Sequence, residues 1–185
     1  MAYQVVYADP PWSEQSADLE GSGEDGNFDP VVLESVKGLP VDERVADDAV
    51  LFLWVPATLL PVGLSVMEAW GFRYGYLWTW HVKPEEDKGY WDRGRCEHLL
   101  VGLRGSVDTS VLHQHNLFDA MRDGEHRPEY FRWLVSRASF VMFGACSKLD
   151  LFGSYWKIRY PEYYVEDWEL WEESYAGDGH GDGEL

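Results

Sequence analysis

"VVYADPPWSEQ", residues 5–15, drives a short apolar run straight into an aspartate, two prolines and a tryptophan. Tyr3 to Ala8 reads as a buried strand, and in an open α/β sheet ligands bind beyond the carboxyl ends of strands, so Asp9 stands where chemistry is done. Pro10 and Pro11 stiffen the backbone and remove two N–H donors. Two acceptors remain, the Asp9 carboxylate and the Pro10 carbonyl, with the flat ring of Trp12 beside them. Acceptors without donors, next to a stacking surface, suit a planar ligand with an exocyclic amine. Adenine N6 is such an amine, and a poor nucleophile, because its lone pair is delocalised into the ring. Two acceptors on its hydrogens draw it toward tetrahedral geometry and stabilise the charge that develops on attack. Trp12 is expected to hold the base by stacking, worth about 1–3 kcal/mol. Read alone, the stretch is equally a rigid turn with Trp12 plugging the core.

Working outward, strands alternate with helices. Residues 13–29 are rich in Gly, Ser, Asp and Glu and read as a mobile loop. Asp29-Pro30 opens a helix with an N-cap and a first-turn proline. Val50–Val55 is a strand, and Leu59–Trp70 a helix stopped by Gly71. Phe72–Val82 is strand-like, with Tyr74, Tyr76, Trp78 and Trp80 recurring on one face. Residues 84–95 form a charged loop, Glu97–Leu103 a strand, 128–136 a helix and Lys148–Phe152 a short strand. The pattern predicts an α/β fold with a largely parallel sheet. One domain over residues 1–176 is expected, with a disordered acidic tail at 177–185. Residues 49–67 are nearly all apolar, but Pro56, Pro61 and Gly63 divide them into a strand and a helix rather than a membrane span.

The formal charge of −18 is unevenly spread. Residues 14–29 hold six acids and residues 161–185 nine, neither with Lys or Arg; the remainder has 18 acids against all 15 basic residues. The body is therefore nearly balanced, and the overall sign does not by itself exclude a nucleic-acid partner. Lysine is scarce, five against ten arginines. An acidic, lysine-poor chain fits a high-salt organism, and equally an ordinary acidic protein with a solvated tail. Cys96 and Cys146 give neither a disulfide framework nor a zinc spacing. The opening MAYQVVYA has no leader pattern, so a reduced cytoplasmic setting, in a microbe or a virus-infected cell, is expected. The spacing of His113, His115 and His126 matches no zinc pattern, and no metal is expected.

DPPW after an apolar strand resembles the catalytic motif of amino-methyltransferases that use S-adenosylmethionine. More narrowly, the chain resembles the family of the seventy-kilodalton subunit of the messenger-RNA adenosine N6-methyltransferase, which includes small bacterial and phage DNA adenine methyltransferases. The likeness runs through "LPVDERVADDAVLFLWVPATLLPVGLSVMEAWGFRYGYLWTWHVK" (39–83), "GYWDRGRCEHLLVGLRG" (89–105), "EHRPEYF" and "KLDLFGS", and more weakly "DWELWEES". It implies a circularly permuted Rossmann-like domain with helices on both faces of the sheet. It implies catalysis by Asp9, Pro10, Pro11 and Trp12, and an S-adenosylmethionine pocket lined by Asp9, His126, Arg127, Asp150, Phe152 and Gly153. Asp150 takes the place of a family glutamate and Arg127 that of a lysine, which changes the geometry of a carboxylate contact. Ser154 stands where the family has arginine, and Glu172 and Glu173 replace its closing pattern.

On the substrate side, Lys83 matches a family lysine near the target. Tyr90, Trp91, Arg93 and Arg95 combine rings and guanidinium groups that can stack bases and hold phosphates; the plain alternative is a loop covering the sheet edge. The expectation is therefore methyl transfer from S-adenosylmethionine to adenine N6 in nucleic acid, DNA before RNA, by a homodimer or with a second subunit, with no membrane and no metal. An RNA N6-adenosine methyltransferase, a cytosine-N4 enzyme and a non-catalytic scaffold are the alternatives.

Overall fold

Alternation of apolar residues along the central strands gives a sheet with two buried faces. The computed structural model describes residues 2–10, 12, 30–83, 95–113, 116–121, 130–152 and 168–171. The elements are β1 (Tyr3–Ala8), α1 (Pro30–Lys37), β2 (Val45–Pro56), α2 (Leu60–Ala69), β3 (Arg73–Lys83), β4 (Arg95–Arg104), β5 (Leu117–Met121), α3 (Tyr130–Phe143), β6 (Lys148–Leu151) and β7 (Glu169–Trp171). The strand order is β5-β3-β4-β2-β1-β6-β7. β1 pairs parallel with β2 and β6, β6 with β7 and β3 with β5, while β4 is antiparallel to both β2 and β3. Among the described residues six strands thus share one direction and only β4 runs against it. This is the expected α/β, Rossmann-like sheet. The first strand of the chain lies in its interior.

The faces separate by parity. Val6, Ala8, Leu51, Leu53, Val55, Leu149 and Leu151 pack with Val36 of α1 and Val66, Met67 and Trp70 around α2. Val5, Tyr7, Val50, Phe52, Trp54, Trp78, Trp80, Leu99 and Val101 pack on the other side with Phe131, Val135 and Ala138 of α3. Helices therefore cover both faces. Trp54, Trp70 and Trp80 are fully buried, each stabilising the fold by roughly 1.5–3 kcal/mol or more. α2 comes close to the sheet at Gly63, where an added Cβ would lie 2.9 Å from both Leu100 Cδ1 and Val55 Cγ2. The helix stops as expected at Gly71, at φ +79°. The Phe72 and Gly71 N–H groups donate to the Met67 and Glu68 carbonyls, the Schellman arrangement.

Several expectations are corrected. β2 begins at Val45, not Val50, because parallel pairing with β1 starts at Tyr3↔Val45 although Asp47 and Asp48 break the apolar run. α3 continues to Phe143, beyond the expected end at 136. β5 and β7 were not expected as strands; each is short and lies at a sheet edge. β4 starts at Arg95, so that residue belongs to a strand and not to the preceding loop. On β3 the register shifts between Tyr74 and Tyr76; Tyr74 is 53% exposed, while Trp78 and Trp80 are buried. The expected loop 13–29, residues 84–94 and the acidic tail 177–185 lie outside the described residues. No described helix is long and apolar enough to cross a membrane. Cys96 and Cys146 are both partly buried.

Candidate active site

The shared direction of six strands gathers their carboxyl ends on one rim. Asp9 follows β1, Pro56 ends β2, Lys83 ends β3 and Phe152 follows β6. β4, running the other way, brings its first residues there too: Arg95 pairs with Val82, and Glu97 with Pro56. Of the residues expected from sequence, the fold thus brings Asp9, Pro10, Trp12, Lys83, Arg95 and Phe152 to a single edge. Asp9 lies beside β6. Lys83 lies three strand spacings away, about 14 Å at ~4.8 Å each. The side chains of Lys83 and Arg95, and all of Pro11, Tyr90, Trp91, Arg93, His126, Arg127, Gly153, Ser154, Glu172 and Glu173, lie outside the described residues.

The chain leaves β1 through a constrained turn. The Asp9 N–H donates to the Leu151 carbonyl at 3.5 Å, and the Trp12 N–H to the Pro10 carbonyl at 2.8 Å. Pro10 is buried, and that N–H occupies one of the two lone pairs of its carbonyl oxygen. Asp9 itself is half-buried.

Trp12 corrects an expectation. Its ring is 7% exposed and belongs to the core on the α1–α2 side. Its indole N–H donates to the Trp54 carbonyl at 2.7 Å. The end of β2 gives the indole an apolar seat and an acceptor, so the ring anchors the loop rather than standing open as a platform. A chain of contacts continues inward. The Trp54 indole N–H donates to the Tyr7 hydroxyl at 2.5 Å, and the Arg132 guanidinium lies 5.0 Å from the centre of the Tyr7 ring.

Asp150 is enclosed. Expected to present its carboxylate to a cofactor, it is 1% exposed. It pairs in register with Tyr7 of β1 and accepts a hydrogen bond from Arg132 Nη1 of α3 on Oδ2, at 2.6 Å. Its parity points it at α3, since Leu149 and Leu151 face the other way. Its Oδ1 has no hydrogen-bond partner among the described residues. Burial raises the carboxyl pKa above its ordinary 3.8, and the adjacent guanidinium opposes that shift. The Phe152 ring is 6% exposed and lies in the core. Its backbone, at φ +69°, is the unusual feature. A bulky residue there is strained, and strain of this kind gathers at ligand sites.

His98, not singled out from sequence, lies one step inside the rim. Its Nδ1 is 3.1 Å from Thr79 Oγ1, and burial lowers its pKa below 6.5 while Glu97 opposes. Tyr7, Trp54 and Arg132 were also missed. An apolar strand containing Tyr and Trp signals burial, and nothing in it announces which hydroxyl meets which indole.

The rim offers acceptors suited to a cationic ligand. The Asp9 carboxylate lies on the rim, the buried Asp150 Oδ1 lies just inside it, and the backbone turns sharply at Phe152. Among the described residues no three His, Cys, Asp or Glu side chains converge as a metal site.

A family model described as MT-A70 matches residues 3–163. The type II methyltransferase M.MunI of Mycoplasma sp is 25% identical over 193 residues, covering 89% of this chain and 80% of that protein. The human N(6)-adenosine-methyltransferase catalytic subunit METTL3 is 26% identical over 166 residues, 82% of this chain and 25% of the relative. The Drosophila melanogaster N(6)-adenosine-methyltransferase MT-A70-like protein is 25% identical over 166 residues, 82% of this chain and 24% of its own length. The chain thus spans most of the bacterial relative and about a quarter of these eukaryotic ones. It belongs to the MT-A70 family of adenine-N6 methyltransferases.

Proposed function

We propose that this chain transfers a methyl group from S-adenosylmethionine to adenine N6 in DNA. The observation that carries the reading is the position of Asp9 and Pro10. They leave a sheet strand flanked on one side by the strained end of β6 and on the other by β2, beyond which β4 and β3 carry Arg95 and Lys83 to the same rim. When bound, S-adenosylmethionine supplies an electrophilic methyl group on a sulfonium centre.

The protein's own contribution is positioning and electrostatics. The Asp9 carboxylate and the remaining lone pair of Pro10 accept the two hydrogens of the adenine amine and turn its nitrogen lone pair outward. The carboxylate stabilises positive charge as it grows on that nitrogen. Trp12 holds this turn in place through the Trp54 carbonyl. Asp9, Asp150, the turn at Phe152 and, by resemblance, His126, Arg127 and Gly153 are the residues that would hold the cofactor. Lys83, Tyr90, Trp91, Arg93 and Arg95 would face the polynucleotide. In duplex DNA the target base must leave the stack, at a few kcal/mol.

The match to the type II methyltransferase over four fifths of its length supports DNA; the matches to the N6-adenosine enzymes keep RNA as the other reading. Expression in a methylation-free strain, followed by digestion of DNA and RNA to nucleosides and mass spectrometry, tests both. N6-methyladenine in DNA is expected with the wild type and is lost with Asp9→Ala at unchanged melting temperature. Methylation confined to RNA would reverse the polymer assignment. Activity retained by the alanine variant would remove Asp9 from the chemistry.

A further inference from the structure

The exposed face of α3 presents aromatic rings to solvent. Tyr130 is 48% exposed and Trp133 57%. Their rings lie 5.9 Å apart, inclined by only 25°. Tyr130 is backed by Phe118 of β5 at 6.3 Å and by Phe131 at 5.9 Å, so the pair is mounted on a packed support.

The helix also has a definite direction on the sheet. Phe131, in its first turn, meets Trp54 near the end of β2 at 4.9 Å. The Gln4 and Val5 N–H groups, at the start of β1, donate to the carbonyl of Ser147 beyond the helix's other end. α3 therefore begins over the rim that carries Asp9 and ends over the opposite one. The aromatic pair belongs to the catalytic end, on the side of β3 and β5.

Charge points to the occupant. The chain has 33 acidic residues, yet residues 130–149 contain none, while they contain Arg132, Arg137 and Lys148. Arg132 is held inward by Asp150; Arg137, one turn after Trp133, is exposed. α3, an acid-free helix with flat rings and an exposed guanidinium in a protein of charge −18, suits a polyanion whose bases have π faces.

We infer that Tyr130 and Trp133, with Arg137, form a stacking platform for unpaired nucleotides flanking the target adenine, a role that rests on nucleic acid being the substrate. With Trp12 buried, this pair supplies the aromatic surface the strand needs outside the reacting centre. It favours single-stranded or locally opened substrate over intact duplex.

The test is binding without cofactor, so it is independent of methyl transfer. Fluorescein-labelled 12-nucleotide single strands of DNA and of RNA are titrated against wild type, Trp133→Ala, Tyr130→Ala, Arg137→Gln and Phe140→Ala. Phe140, 59% exposed, lies about 10 Å farther along the helix and controls for general loss of surface apolarity. Trp133→Ala is expected to weaken binding about 5- to 150-fold, the range for losing a stacked base. Trp133→Phe is expected to restore most of it, Phe140→Ala to change it less than about twofold, and melting temperatures to stay unchanged, since these side chains are exposed. Equal affinity of wild type and Trp133→Ala would overturn the platform while leaving the Asp9 chemistry standing. A wild-type dimer in gel filtration that becomes a monomer in Trp133→Ala, with affinity per site unchanged, would overturn it in favour of a contact between two copies.

Discussion

Tyr7 illustrates what one atom can do at a distance from the chemistry. Its hydroxyl receives the Trp54 indole N–H, and the Trp54 carbonyl receives the Trp12 indole N–H. Both bonds are buried, so each has little competition from water. Together they tie the strand before Asp9 to the ring three residues after it. Tyr7→Phe removes the acceptor and keeps the ring under Arg132. Stability is expected to fall by about 1 kcal/mol, read from urea denaturation. Because Asp9 and Pro10 are then less well held, single-turnover methyl transfer is expected to slow about ten- to a hundredfold, with cofactor affinity unchanged. A rate equal to wild type would show that the tether does not reach the reacting centre.

At the scale of elements, α3 and β6 are joined by one charged pair. Arg132 and Asp150 meet at 2.6 Å with side chains 11% and 1% exposed. Removing one partner of such a pair leaves the other charge buried. Arg132→Met is therefore expected to destabilise the protein by about 3–5 kcal/mol near neutral pH. The pH dependence has a definite sign. Burial already sets the folded pKa of Asp150 above 3.8, and losing the guanidinium raises it further. The folded state then binds a proton that the unfolded state has released. The variant's stability relative to wild type falls as pH rises from the raised folded pKa of the wild type through the still higher one of the variant, and is recovered as the carboxyl is protonated. Denaturant midpoints from about pH 4 to about pH 8 should show the gap opening with pH. A constant gap would mean that Arg132 stabilises through packing on Tyr7 instead.

For the whole molecule, the acids are concentrated at 14–29 and 161–185, and the groups proposed to face a polynucleotide are few. Lys83, Arg93, Arg95 and Arg137 are the cations in question. At ~0.9 counterions released per phosphate contact, four cations give a slope of log K against log salt no steeper than about −4 on duplex DNA. Titrations across a salt series measure it directly; a slope near −8 would require a basic surface elsewhere or a second subunit that supplies one. A shallow slope lets binding persist as ionic strength rises, because stacking depends less on salt than phosphate contacts do.

The sequence by itself determined the strand–turn of residues 3–12, the sheet class, the Gly71 helix stop and the family. Each is carried by local periodicity or by a short motif whose residues act together wherever the chain places them. Asp9, Lys83 and Arg95 could be nominated from those motifs. Tertiary structure alone decided that Trp12 and Phe152 are buried, that Asp150 faces an arginine, and that Tyr7 meets Trp54. These outcomes depend on which strand lies next to which and on the parity of each side chain, and pairing across 42 or 47 residues leaves no trace in local pattern. The same reason explains α3. Its apolar residues occur on every side, so periodicity cannot separate the buried Phe131 and Val135 from the exposed Trp133 and Phe140; only the sheet beneath the helix chooses between them.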